Sequence, residues 1–483
     1  MTPVEDTARR APGEDQVRGP GRRAAGGRAG RALRSRFRHR VPTARSHPGG
    51  SDNAVRRATG DAGAMRRPQE HAAIGTADDR RSCESGPSAA LVADIGRLVR
   101  CESPSEDLAA IARSAELVAD TGARHLGTRP ERLVIDGCTH LRWRFGDTPR
   151  VLLLGHHDTV WPIGSLARHP FEVREGVLRG PGCFDMKAGL VMAFHALAAL
   201  RGAGGSDGLD GVTLLVTGDE EPGSPTSREL IEDEARRCAA VLVLEAAGPG
   251  GALKTERKGV SRYEVLVRGR AAHSGLDPER GVNATVEAAH QVLAVTALGD
   301  PALGTAVTPT RLEAGTTVNT VPAAARFDVD VRVRDAAEQH RVDTALRALR
   351  PRLPGAVLEI RGGPNRPPLP AAASGDLFEL ANRLAEGLGI GPLTSAAVGG
   401  ASDGNLAAGV GTPTLDGLGA VGAGAHADDE HVLVAQLPER TRLLAALVAE
   451  LLASGGTGWS APTNPHPPSC ASGPATGRQR MEP

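Results

Sequence analysis

His156 and Asp158 stand two residues apart in LLLGHHDTV, where an apolar run ends. Residues two apart in an extended segment face the same side. A histidine beside a carboxylate on such a face suits a metal ligand and the group that orients it, though two strand-end histidines serve as well as hydrogen-bonded core groups. GPGCFDMKAG makes a Gly/Pro turn that delivers Asp185 to a helix start, where an aspartate also suits capping. VTGDEEPGS sets Asp219, Glu220 and Glu221 side by side after a second apolar run. Like charges crowded at a strand end are costly unless a cation neutralises them. A third apolar run, VLVLEAAG, ends in Glu245, and the glycine-rich GAGAHADDEHV carries His426 with Glu430 four residues on.

Each signal is weak alone. Together they put nitrogen and oxygen donors at successive loop edges of one sheet, and open α/β sheets gather their sites along the carboxyl ends of their strands. Two zinc ions sharing a carboxylate and a water need about that set of ligands. Three neighbours compete for these roles. His157 adjoins His156, but the H-x-D spacing favours His156. His431 lies beyond the acidic DDE run, outside the glycine loop, and Cys183 lies two residues before Asp185 without a basic partner nearby in sequence.

The elements that must position these residues alternate. Val151–Gly155, Val212–Thr217 and Ala240–Glu245 are continuous apolar runs, as strands buried on both faces would be. Helical stretches separate them, at about Met186–Leu200 and Thr226–Cys238, and helices near Gly375–Gly387 and Leu437–Leu452 close the chain. This is an α/β pattern. From about Arg257 to Arg366 the rhythm changes to β-α-β-β-α-β, with helices near Val282–Ala297 and Ala336–Leu349, the order of a ferredoxin-like α+β sandwich. Elements of the larger unit flank it, so we read an insertion at 257–366 in a catalytic domain formed by 87–256 and 367–454.

The order GHxDTV, GPGxxDxK, DEE, a strand-end Glu and a late Gly-flanked His resembles the zinc metallopeptidase family of carboxypeptidase G, aminoacylase, acetylornithine deacetylase and succinyl-diaminopimelate desuccinylase. The similarity runs from about Pro87 to Ser454 and is strongest to the glutamate carboxypeptidase branch. It implies a di-zinc exopeptidase-like catalytic domain with an inserted lid and dimerisation domain. It further implies two Zn2+ per subunit, with cobalt or manganese as substitutes, held by His156, Asp185, Glu221, Glu245 and His426. Asp185 would bridge the ions and be followed by a cis peptide bond, Asp158 would orient His156, and Glu220 would be the general base. His273 in GRAAHSG, Asn319 in TTVNTVP and Arg332 in DVDVRVR match positions that meet substrate, His273 from the partner subunit of a homodimer. Taken locally, Arg332 is a solvated strand residue. The activity implied is hydrolysis of the amide bond before a C-terminal amino acid, glutamate first, in an N-acyl, folate-like or peptide substrate. The runner-up is an N-acyl amino acid deacylase or desuccinylase. A binding protein that kept the fold without catalysis is the rival from another class.

Composition fits this reading. The chain has 483 residues, 40% hydrophobic and 24% charged, with zero formal net charge, so nucleic-acid binding by the whole protein is not expected. Aromatic residues are only 2%, which leaves the core to Leu, Val, Ile and Ala and makes stacking platforms scarce. No apolar run in the sequence reaches the roughly 18–20 residues of a membrane span, and six scattered cysteines read as thiols of a reducing compartment, the cytoplasm. Residues 1–86, rich in Arg, Gly and Pro, read as a disordered basic arm or an over-extended start, and 455–483 as a disordered tail.

Overall fold

The computed structural model describes residues 87–204 and 208–454. The expected N-terminal arm and C-terminal tail lie outside the described residues. In chain order, α1 (Pro87–Val99) and α2 (Leu108–Leu126) lead into β1 (Glu131–Ile135), β2 (Cys138–Arg144) and β3 (Val151–His156). α3 (Ala188–Gly204), β4 (Val212–Thr217), α4 (Arg228–Arg237) and β5 (Ala240–Val243) follow. Next come β6 (Gly259–Arg268), α5 (Ala284–Thr296), β7 (Ala306–Ala314), β8 (Ala324–Val333), α6 (Ala336–Arg347) and β9 (Val357–Arg366). The chain returns through α7 (Ala371–Gly387), α8 (Asp403–Gly409), β10 (Thr414–Leu415) and α9 (Leu437–Ala453).

The central sheet runs β1-β2-β4-β3-β5-β10. Strands β4, β3, β5 and the edge strand β10 are parallel, and β2 and β1 add antiparallel at the other edge. All six residues of β3 and of β4 are buried. Alternate side chains enter two different cores: Leu153 packs on the side of α1, α2, α3, α7 and α9, while Leu152 and Leu154 pack toward α4 and α8. This two-sided burial is why the sequence shows continuous apolar runs instead of alternation. By length and composition, the segment Cys183–Gly204 could cross a bilayer, but 72% of its apolar window is buried inside the protein, the mark of a core helix.

Helices α1 and α2 and the strands β1 and β2 carry no pattern that the sequence reading separated. Their ends are nevertheless locally encoded. Asp107 accepts the backbone N–H groups of Ala109 and Ala110 at the start of α2, and Gly127 closes it with φ 72°.

Residues 259–366 form a four-stranded antiparallel sheet ordered β7-β8-β6-β9. Burial along β8 alternates, and its inward residues Phe327, Val329, Val331 and Val333 share one core with Ala284, Ala288 and Val295 of α5 and with Val342 and Leu346 of α6. Sheet and helices thus follow the expected β-α-β-β-α-β order.

Candidate metal centre

The parallel register fixes where the site lies. His156 pairs with Thr217, and Leu154 pairs with Val243. The loops after β3, β4 and β5 therefore start at one level and carry His156 to Asp158, Asp219 to Glu221, and Glu245 to the same edge. The turn before α3 brings Asp185. Gly182 there has φ 69°, and a Cβ on it would stand 2.4 Å from Thr159 Cγ2, so only glycine fits. The Asp185–Met186 peptide is cis, and His426, with φ 63°, comes from the glycine-rich loop before α9.

Asp185 is the hinge of the arrangement. Its Oδ1 lies 3.3 Å from Nε2 of His156, and its Oδ2 lies 3.3 Å from Nε2 of His426. On the first side, Glu245 Oε1 stands 3.5 Å from the same His156 nitrogen. On the second, Glu221 Oε2 stands 3.2 Å from the His426 nitrogen. His156 Nε2 and Glu221 Oε1 are buried and make no hydrogen bond. Orphaned donors of this kind, aimed into a cluster of carboxylates, fit a pair of divalent cations. His156 with Asp185 and Glu221, and His156 with Glu220 and Glu245, form close ligand triads.

The surrounding groups settle which neighbours take part. Asp158 is fully buried: Oδ1 stands 3.3 Å from His156 Nδ1 and accepts the Glu220 N–H, while Oδ2 accepts Ser105 Oγ–H and the Glu221 N–H. One carboxylate thereby fixes both the histidine and the acidic loop. His157 turns away, with Nδ1 toward Ser114 Oγ and Nε2 toward the Thr139 carbonyl, and burial lowers its pKa to about 4. The three adjacent acids separate. Asp219 accepts the N–H and O–H groups of Thr226 and Ser227 and braces the start of α4, whereas Glu220 and Glu221 face the cluster. His431 binds the Asp429 carbonyl outside it. Cys183 is fully buried, with its thiol raised well above the ordinary value by burial.

Electrostatics follow the geometry. Contacts to Asp185 and Glu221 raise His426 to about 10. Burial opposes charge on His156, yet Asp158, Asp185 and Glu245 hold its pKa well above the usual range. Both imidazoles thus carry protons where cations would compensate the same carboxylates. Burial pushes the Glu220 carboxyl well up, against the pull of Arg366.

Two arginines escaped the sequence reading, and Glu430, though noted there, was given no role. Arg366 Nη2 lies 2.8 Å from both Glu220 Oε1 and Asp403 Oδ1. Arg257 grips Asp416 with Nε and Nη2 at 2.7 and 3.0 Å and stands 3.3 Å from Glu245 Oε2. Glu430 accepts the N–H groups of Gly182, Phe184 and Asp185 and of the Trp161 indole, at 2.7–3.0 Å, and so holds the Asp185 turn. Glu430 was visible four residues after His426; the two arginines sit at the ends of the 257–366 segment, where no periodicity marks them.

The three residues matched to substrate contacts lie apart from the cluster within the chain. Ser274, next to His273, donates its N–H to the Asn319 carbonyl, and both His273 and Asn319 are exposed. The Arg332 fork is taken by Asp330 at 2.7 and 3.0 Å. Among the described residues, none of the three makes a hydrogen bond or ion pair with the candidate ligand cluster.

Residues 152–450 match the model of peptidase family M20/M25/M40. Carboxypeptidase G2 of Pseudomonas sp. (strain RS-16) is 31% identical over 377 residues, covering 75% of this chain and 89% of that protein. Succinyl-diaminopimelate desuccinylase of Granulibacter bethesdensis is 29% identical over 372 residues, covering 68% and 92%. Among solved structures, the M20 family metallo-carboxypeptidase Sso-CP2 of Sulfolobus solfataricus superposes with a TM-score of 0.60 at 16% identity, over 76% of this chain and 99% of that one.

Proposed function

Because the chain belongs to peptidase family M20/M25/M40 and is thus a metallopeptidase-type hydrolase, we propose that it releases a C-terminal amino acid, glutamate first, from an N-acyl, folate-like or peptidyl substrate at a dinuclear zinc centre. The observation that carries this reading is the placement of the two Asp185 oxygens against two different histidines. His156, Glu245 and Asp185 would hold one ion; Asp185, Glu221 and His426 would hold the other. Such a pair supplies Lewis acidity toward the scissile carbonyl and the attacking water.

Glu220 accepts a proton from the attacking water as the C–O bond forms. It returns that proton to the leaving nitrogen as the C–N bond breaks. Asp158 keeps His156 and the 220–221 backbone in register. Arg366 fixes the Glu220 carboxylate, and Glu430 fixes the turn bearing Asp185. In this proposal residues 257–366 act as a lid and dimerisation domain. Exposed apolar side chains on it, among them Leu276, Leu293 and Val318, support an interface with a second copy. His273, far from its own cluster's contacts, would then reach the site of the partner and hold the developing oxyanion. Arg332 would exchange Asp330 for the substrate carboxylate, beside Asn319; an arginine fork suits both partners. The described cysteines, Cys101, Cys138, Cys183 and Cys238, are free thiols, which supports a cytoplasmic location.

The similarity to a desuccinylase favours a second reading, an N-acyl amino acid deacylase with the same centre and a different acyl pocket. The two are separated by amino acid release from a panel of aroyl-glutamate, acyl-aspartate, N-acetylornithine, succinyl-diaminopimelate and N-acetyl amino acids, using the zinc-loaded protein. Preferential release of glutamate is expected. Preference for acetyl or succinyl donors moves the protein to the second reading, and silence across the panel overturns both.

A further inference from the structure

Three helices bring together a second set of donors, none of them used above. α1 supplies Asp94, the last turn of α2 supplies His125, and the middle of α3 supplies His195. Nε2 of His125 lies 2.7 Å, and Nε2 of His195 3.1 Å, from one and the same oxygen, Oδ2 of Asp94. The three donor atoms lie within 4.8 Å of one another, and the two rings stand 4.2 Å apart between centroids. Asp94 is buried, while the histidine side chains keep 19% and 18% of their surface, so an ion could enter from solvent.

As hydrogen bonds, both ring N–H groups share one carboxylate oxygen, whose two lone pairs can accept them, so both nitrogens converge on one point. A cation accepting from both deprotonated nitrogens and the carboxylate would need only small adjustments, because ligand distances of about 2.0–2.2 Å place such donors roughly 3–3.5 Å apart. Two imidazoles and a carboxylate match zinc, nickel or copper in ligand type. Arg124 does not fill the site. It donates to the other oxygen, Oδ1, at 2.9 Å, and its side chain is 47% exposed. Its charge opposes a neighbouring cation, so this site should fill after the catalytic centre.

We propose that Asp94, His125 and His195 form a second metal site, separate from the catalytic pair, which binds a borderline divalent transition ion such as zinc and ties α1, α2 and α3 together. An ion bound there only in the folded state raises thermal stability. The test uses the full chain stripped of metal, with zinc bound counted after equilibrium dialysis and the thermal midpoint followed against added zinc. His195→Gln and, independently, His125→Gln should each lose one ion per chain at saturating zinc, together with the late part of the zinc-dependent rise in midpoint. A His156→Ala/His426→Ala protein, in which each half of the catalytic cluster loses its histidine, should keep one ion that disappears when His195→Gln is added. This arm separates the proposal from the di-metal reading of the catalytic centre. His125→Gln lies at a helix end on a partly exposed ring, so it still decides the matter if His195→Gln fails to fold. Equal zinc content and equal midpoints with and without the histidines would overturn the proposal.

Discussion

Arg366 reaches from the end of β9 to place its Nη2 2.8 Å from Glu220 Oε1, so the residue that closes the 259–366 sheet holds the proposed general base. The same nitrogen bonds Ser224 Oγ and Asp403 Oδ1. Both partners of the pair are buried, at 5% and 9% of side-chain exposure. Their mutual orientation therefore has little freedom.

Glu220→Gln should reduce turnover by about 10²–10⁴-fold, the usual contribution of a positioned acid–base group. Its zinc content should be unchanged. Metal analysis beside steady-state kinetics checks this; loss of an ion would make Glu220 a ligand, as its closeness to His156 and Glu245 allows.

Arg366→Gln leaves a buried carboxylate without its cation. Removing one partner of a buried pair costs roughly 3–5 kcal/mol, so a clear drop in the denaturant midpoint is expected. Arg366 lowers the Glu220 pKa in the intact protein. Without it that pKa rises, the base form appears only at higher pH, and the acid limb of the pH–rate profile moves up. An unshifted limb would show that Arg366 does not act on the base.

Glu430→Gln replaces a carboxylate that accepts four N–H groups with an amide that carries its own N–H donors. The Asp185 turn should loosen. Metal affinity should fall about 10–100-fold, as for other groups that orient ligands, read by competition with a chelating dye.

Metal uptake should release protons. His426 has its pKa raised from 6.5 to about 10 by Asp185 and Glu221, so at pH 8 the metal-free protein carries a proton that a ligand nitrogen must lose. Zinc added to weakly buffered metal-free protein should acidify the solution, and apparent affinity should climb with pH until about 10. For metal-free stability the sign is opposite. The contribution of His426 is fully present below its ordinary value and is lost as pH rises through about 10. Flat affinity between pH 7 and 9 would contradict both.

Cys183, adjacent in sequence to the centre, should resist iodoacetamide in the native protein because burial raises its thiol pKa and closes access. Mass spectrometry of labelled native and unfolded protein tests this; rapid native labelling with loss of activity would restore a role for the thiolate.

The sequence by itself carried the positions of the candidate ligands, because each follows a local device: an apolar strand ending at His156, at Thr217 before the acidic triplet and at Val243 before Glu245, a glycine turn before Asp185, a glycine loop around His426. It also carried the β-α-β-β-α-β order of residues 259–366, since helix and strand periods differ along the chain. It did not separate α1, α2, β1 and β2: β1 is largely exposed, α2 buries one face only, and β2, though mostly buried, mixes Thr139, His140, Arg142 and Arg144 with its apolar residues. Spacing alone did not separate the acids of DEE, although the family resemblance implied Glu220 as base and Glu221 as ligand. Asp219 braces α4, while Glu220 and Glu221 turn to the cluster, and only the partners supplied by Thr226, Ser227 and Arg366 decide between these fates. Arg257, Arg366 and Glu430 join the site through contacts 12 to 248 residues away in the chain. Pairings of that span leave no periodic trace in sequence, because they depend on where folded elements meet, and so the tertiary structure alone decided them.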